Sequence, residues 1–195
     1  MEFSKTQTFQ NLANAFAGES QARNRYTFFA NIAKGEGHAF LKEVFEATAE
    51  NEREHAKVFY KLLDAHSRGQ TNAFHVSADY PLVYADTLAN LRAAAEGERE
   101  EWEVVYAKAA EVAEQEGFRD IAQAFREIAE IEEHHMKRFN DLADQLENGT
   151  LYKKDNPTYW KCTNCGYVHE GPEAPDSCPA CRHPKGYFQE IPQEY

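Results

Sequence analysis

The sequence predicts an all-α four-helix bundle followed by a small C-terminal metal-binding β domain. Up to Asn148, apolar residues recur at three- and four-residue intervals in a background of Ala, Glu and Arg, the pattern of amphipathic helices. Beyond it the composition changes: six of the seven prolines and all four cysteines lie there. Two Glu-x-x-His motifs, Glu52-Arg53-Glu54-His55 and Glu132-Glu133-His134-His135, occur in the first part, with two further glutamates, Glu19 and Glu98, on alanine-rich segments. Asn148-Gly149 reads as a helix stop, so the expected domains are residues 1–148 and 149–195.

The first helix is expected over residues 5–34. Phe9, Leu12, Ala13, Phe16 and Ala17 form its stripe, and Glu19 and Tyr26, seven apart, share a face. Lys34-Gly35-Glu36-Gly37 ends it. The second helix, residues 38–66, carries Phe40, Leu41, Val44, Phe45, Thr48, Phe59 and Leu62, and Glu52 and His55 fall on that apolar stripe. Residues 67–80 have no helical period and contain Gly69, Asn72, Ser77 and Asp79. So long a crossover between helices two and three is what a ferritin-like bundle requires. Pro81 suits the first turn of a third helix running to Glu116, with Leu88, Leu91, Ala94, Ala95, Glu98, Glu101, Val105 and Tyr106 along it. Gly117 separates it from the fourth helix, Phe118 to Glu147, which carries Ile121, Phe125, Ile128, Glu132, His135, Phe139 and Leu142. Glu19 to Glu52 spans 33 residues and Glu98 to Glu132 spans 34, so the chain reads as two similar helical hairpins.

Glu and His three apart on a helix lie on one face, close enough to hold one ion. A Glu from each of two helices, plus Glu-x-x-His from each of the other two, is the ligand set of a carboxylate-bridged dimetal centre. The candidates are Glu19, Glu52, His55, Glu98, Glu132 and His135, with Glu52 and Glu132 as bridging and Glu19 and Glu98 as terminal ligands. Buried together without an ion, such carboxylates would cost on the order of several kcal/mol each. Glu101, three residues after Glu98, is a seventh candidate that could exchange when the metal changes oxidation state. Glu100, about 100° round the helix, reads as surface, as do Glu133 and His134. Tyr26 and Tyr106 either hydrogen-bond ligand carboxylates or pack in the core. His38, His66 and His75 read as ordinary polar residues. Oxygen-rich ligation with two imidazoles suits iron or manganese, with zinc a further possible substitute.

Cys162-Thr163-Asn164-Cys165 and Cys178-Pro179-Ala180-Cys181 form two knuckles, each supplying two thiolates to one tetrahedral ion. The motif alone leaves iron and structural zinc open. So short a module needs its metal to fold, with Tyr159, Trp160, Tyr167, Tyr187 and Phe188 as its expected aromatic core and His169 and His183 at its surface. The net charge of −12 and a pI near 5.1 argue against nucleic-acid or anionic-membrane binding. The N-terminus lacks the apolar core of a signal peptide. No apolar run is long enough to span a membrane, so a cytoplasmic protein is expected.

The sequence resembles the rubrerythrin family over essentially its whole length. The resemblance rests on residues 15–26 (AFAGESQARNRY), on Glu52-Arg53-Glu54-His55-Ala56-Lys57, on Lys137-Arg138-Phe139 after the second Glu-x-x-His, and on the rubredoxin-like run from Cys162 to Pro179. It implies a non-haem diiron site and a one-iron centre held by the four cysteines. It implies reduction of hydrogen peroxide to water, with electrons from a donor protein such as rubredoxin or its reductase entering at the cysteine-bound iron, in defence against oxidative stress. Carried onto this chain, the diiron ligands are Glu19, Glu52, Glu98, Glu101, Glu132 and His135, and His55 is the ligand that exchanges with Glu101. Glu52, His55 and Glu101 are then the catalytic residues. The family also implies a homodimer. Iron handling of the ferritin type is the competing expectation from the bundle, and a zinc-stabilised binding module the one from the tail.

Overall fold

The computed structural model describes residues 2–69 and 71–192. Five α-helical segments come first: α1 Gln7–Gly35, α2 Ala39–Ser67, α3 Thr87–Glu100, α4 Tyr106–Gln115 and α5 Arg119–Glu147. A π-helical stretch, Glu101–Val105, joins α3 to α4, so the two act as one long bundle helix. Three short strands follow, β1 Lys153–Cys162, β2 Val168–Glu173 and β3 Phe188–Ile191, as an antiparallel sheet in the order β2-β1-β3. This is a ferritin-like four-helix bundle with a rubredoxin-like sheet at its C-terminal end.

The third helix starts later than proline placement suggests. Pro81 lies outside any helix, and α3 begins at Thr87. The Asp86 carboxylate accepts from Ala89 N at 2.8 Å, and Asn90 bonds both the N–H and the carbonyl of Ala85. Asp86 is the first residue past the crossover able to cap a helix. Pro81 instead sits beside Tyr80, whose hydroxyl donates to the Asn14 carbonyl at 3.0 Å and holds this part of the crossover against α1.

The π stretch is the second departure from an unbroken third helix. It accounts for the odd residue between the two halves of the chain. Thr8 and Thr87, Gly18 and Gly97, and Glu19 and Glu98 are each 79 positions apart. Tyr26 and Tyr106, Glu36 and Glu116, Glu52 and Glu132, and His55 and His135 are each 80 apart. One extra residue therefore enters between Glu98 and Tyr106, where the helix widens to absorb it. The symmetry extends to the caps. Glu116, in the turn before α5, accepts from Thr8 N at 2.8 Å, and Glu36, in the turn before α2, accepts from Thr87 N at 3.0 Å. Each hairpin thus caps the start of the other.

The bundle core divides into two apolar clusters. One gathers Tyr26, Phe29, Leu41, Phe45, Leu91 and Phe139, and the other Leu12, Phe59, Tyr106, Ile121 and Phe125. Each bundle helix contributes to both, and between its two apolar halves each carries one buried glutamate: Glu19, Glu52, Glu98 or Glu132. A carboxylate layer therefore cuts the core in two. Such a layer is unfavourable unless something compensates it.

In the small sheet, alternation turns Trp160 and Cys162 inward, against Phe188, Ala174 and Cys178. Tyr159 consequently faces away from that cluster, and Tyr152 packs there in its place. His169 and His183 are half-buried rather than at the surface, and the His183 ring packs on Tyr187 at 4.5 Å. The sheet is seated on the α1–α2 turn. Thr163 donates to Glu43 at 3.0 Å, and a β-carbon on Gly186 would fall 1.7 Å from the Gly37 carbonyl oxygen. Only glycine permits that approach.

Candidate metal centres

Glu52 and Glu132, on facing helices, each turn one oxygen to each of two histidines. His55 Nδ1 lies 2.9 Å from Glu52 Oε2 and 2.9 Å from Glu132 Oε1. His135 Nδ1 lies 3.3 Å from Glu52 Oε1 and 2.8 Å from Glu132 Oε2. Glu19 Oε2 joins the first group at 3.9 Å from His55, and Glu98 Oε2 joins the second at 3.8 Å from His135. In each set of four, Glu19-Glu52-His55-Glu132 and Glu52-Glu98-Glu132-His135, one ligand atom per residue lies within 4.8 Å of the others.

The fit of this cage to two cations can be read from unmet hydrogen bonding. Glu19 Oε2, Glu98 Oε2, both oxygens of Glu52 and Glu132, and Nδ1 of both histidines are buried with no well-formed hydrogen bond. Buried polar atoms are normally paired. Here the unpaired ones are the atoms that converge, whereas the remaining oxygen of each terminal glutamate is satisfied. Tyr106 donates to Glu19 Oε1 at 2.5 Å, and Tyr26 donates to Glu98 Oε1. Both readings of these tyrosines therefore hold, since both are also fully buried in the aromatic core.

Without cations the charges strain one another. Burial, with repulsion from Glu52 and Glu132, pushes Glu98 up to about 8, and burial with the Glu132 charge drives Glu19 well above the usual carboxylate range. Burial alone would lower His55, but the close carboxylates of Glu132 and Glu52 raise it to about 9. Burial opposes ionisation of Glu132, yet the two histidines hold it down at about 2.

Glu101 belongs to neither set of four. It is half-buried beside them, at the start of the π stretch, and burial next to Glu98 and Glu132 pushes its carboxyl well above the usual range. Glu100 and His134 are exposed, and Glu133 is half-buried, paired with Lys137 at 2.7 Å. His38 meets the Tyr152 hydroxyl at 3.0 Å, His66 pairs with Asp120 at 2.7 Å, and His75 is exposed. Sequence reasoning missed Arg138, which follows His135 by one turn. It is partly buried and donates to Thr48 at 2.5 Å. Its three-residue spacing from His135 was the available signal.

In the tail, Cys162 Sγ and Cys181 Sγ stand 3.7 Å apart, as do Cys165 Sγ and Cys178 Sγ. Four sulfurs bound tetrahedrally at about 2.3 Å would be separated by roughly 3.8 Å. The backbone N–H of His183 helps to hold the Cys181 thiol down at about 6, while burial pushes Cys162 up to about 12.

Family comparisons agree with this pairing of centres. A family model described as Rubrerythrin matches residues 10–143, and one described as the rubrerythrin rubredoxin-like domain matches residues 160–189. The chain belongs to the rubrerythrin family. Rubrerythrin-1 of Clostridium acetobutylicum is 50% identical over 97% of both chains. A structure of nigerythrin in its fully reduced, all-ferrous state is 28% identical, with a TM-score of 0.63 over 98% of this chain and 94% of that one. The Desulfovibrio desulfuricans bacterioferritin, 19% identical over 76% of this chain and 85% of its own, shares the bundle fold at a TM-score of 0.66. The carboxylate–histidine cage and the rubredoxin-like four-cysteine cluster suit non-haem iron. Among the described residues, no helix is long and apolar enough to cross a membrane.

Proposed function

We propose that this chain is a peroxidase that reduces hydrogen peroxide to water at a dimetal centre, in defence against oxidative stress, with electrons supplied through the cysteine-bound iron. The observation that supports it best is the presence in one chain of two centres of different kind. One is a cage for two cations sharing Glu52 and Glu132, and the other a one-ion thiolate cluster. Iron storage has no use for the second.

Two ferrous ions in the cage would supply the electrons for H2O2 + 2 H⁺ + 2 e⁻ → 2 H2O, in which the O–O bond breaks. The chain's residues do the rest. Glu52 and Glu132 span both positions, and Glu19-His55 and Glu98-His135 close the ends. Tyr106 and Tyr26 fix the terminal carboxylates through their outer oxygens. Glu101, half-buried beside the cage at the start of the π stretch, would be placed to pass a proton to a departing oxygen. It is also the residue that family resemblance pairs with His55 as an exchanging ligand.

The same reading divides the chain into residues 1–148 and 149–195, makes it a cytoplasmic homodimer, and gives it a donor protein of the rubredoxin type. Manganese or zinc could replace iron in the cage. The test is anaerobic. The iron-loaded protein is reduced and given one equivalent of peroxide while the ferric-thiolate colour is followed. Rapid return of the colour, lost in Glu52→Ala with the cysteine-bound iron intact, supports the reading. No return, or a return indifferent to that substitution, overturns it.

A further inference from the structure

One row of α1 faces the crossover. Gln10 donates to the His75 carbonyl at 2.9 Å, and Asn14 exchanges hydrogen bonds with both backbone groups of Ser77, at 3.0 and 3.1 Å. The Tyr80 hydroxyl reaches the Asn14 carbonyl. Four residues further along this row stands Gly18, then Gln21 and Arg25. The side chains that pin the crossover stop at Gly18, and there a cleft of about 150 Å³ opens.

The cleft has a particular lining. Gly18 and Gly97 both border it, and each immediately precedes a glutamate of the cage, Glu19 or Glu98. Glu101 and Tyr106 form the wall towards the cage, and Tyr80 and Pro81 the outer rim. A β-carbon on Gly18 would lie 3.7 Å from Glu101 Oε1 and 3.6 Å from the Tyr80 ring, and one on Gly97 would lie 3.9 Å from Arg25. Alanine would therefore fit at both sites. Glycine inside a helix costs about 1 kcal/mol relative to alanine, and nothing in helix packing requires it here. What the two glycines provide is open space in the cleft, Gly18 beside Glu101 and Gly97 beside Arg25.

We propose that this cleft is the route by which small solutes reach the dimetal cage, and that it restricts the oxidant to hydrogen peroxide and short alkyl hydroperoxides. Tyr80 stands at the rim of this small cleft, and an aromatic hydroperoxide would have to carry a whole ring past it. Gly18 and Gly97 are positioning residues that keep the passage clear. The oxidant part rests on the peroxidase reading; passage of metal ions does not.

Metal-free full-length protein is mixed with Co(II), and uptake by the cage is followed from its carboxylate-ligand absorption. The thiolate bands of the four-cysteine site serve as internal reference. Gly18→Ala and Gly97→Ala are expected to slow cage filling roughly tenfold, the usual penalty for one surplus methyl in a tight space, with final stoichiometry unchanged and a thermal midpoint at or above wild type. Gly35→Ala, whose β-carbon meets nothing within 4 Å, is the control and fills at the wild-type rate. In the reduced iron protein, Gly18→Ala slows oxidation by hydrogen peroxide, and Tyr80→Ala admits cumene hydroperoxide. Unchanged Co(II) uptake in both glycine variants, or a change in stoichiometry rather than rate, overturns the access route. Wild-type iron protein that ignores peroxide while the glycine variants fill slowly overturns the peroxidase reading and leaves the route standing.

Discussion

Tyr106 donates its hydroxyl to Glu19 across the bundle at 2.5 Å, although the two residues are 87 positions apart. Tyr26 makes the matching bond to Glu98. These bonds turn the second oxygen of each glutamate inward. Tyr106→Phe leaves Glu19 Oε1 buried without a donor, a loss of about 1–3 kcal/mol. Metal affinity at the Glu19-His55 position should fall on the order of ten- to a hundredfold, as for other partners of metal ligands. The Glu98-His135 position should change little. A two-phase Co(II) titration separates them; equal weakening of both phases contradicts this assignment.

The π stretch holds one residue more than a regular helix needs between Glu98 and Tyr106. Deleting Glu103, which is exposed, should let α3 and α4 fuse in ordinary register. The fold, the Tyr106–Glu19 bond and binding of two cage metals should survive, with a thermal midpoint at or above wild type. Deleting the exposed Glu130 from α5 should instead turn Glu132 and His135 by about 100° and abolish cage binding. Equal damage from both deletions would contradict the insertion argument.

The cage without cations should respond to pH in the opposite sense from the loaded one. Glu98 is raised to about 8 from 4.5 and His55 to about 9 from 6.5, so the folded metal-free chain holds more protons than the unfolded one. Its stability is therefore greatest below the unfolded values and falls as pH rises through the folded ones. Glu132, lowered to about 2, acts oppositely, but only below about 4.5. Thermal midpoints of chelated protein should drop between about pH 6 and pH 9. Those of metal-loaded protein should hold or rise, because binding needs deprotonated ligands. Parallel curves would contradict this.

Much of the cage was legible because its signal is local. Glu-x-x-His puts two ligands on one face, and every one of the six candidates from Glu19 to His135 lies in the cluster. The helix ends at Gly37, Gly117 and Asn148 were equally legible, since they depend on residues within a turn. The start of α3 was not. Pro81 is compatible with a helix start, but the Tyr80–Asn14 bond and the Asp86 cap are what decide it. The π stretch had left a trace, the unequal spacings of 33 and 34 residues, though spacing alone does not say where the extra residue lies. The cleft beside Glu101 depends on how the crossover lies on α1, which has no periodic signature.

The central claim is that Glu52 and Glu132 are shared by two metal positions while Glu19 and Glu98 each serve one. Metal stoichiometry of purified, fully loaded protein tests it most directly. Wild type should hold about three ions per chain, two in the bundle and one in the four-cysteine site. Glu132→Ala should lose both bundle ions together, and Glu19→Ala only one, with the cysteine-bound ion retained in both. Loss of a single bundle ion in Glu132→Ala, or of both in Glu19→Ala, would contradict the shared-carboxylate cage.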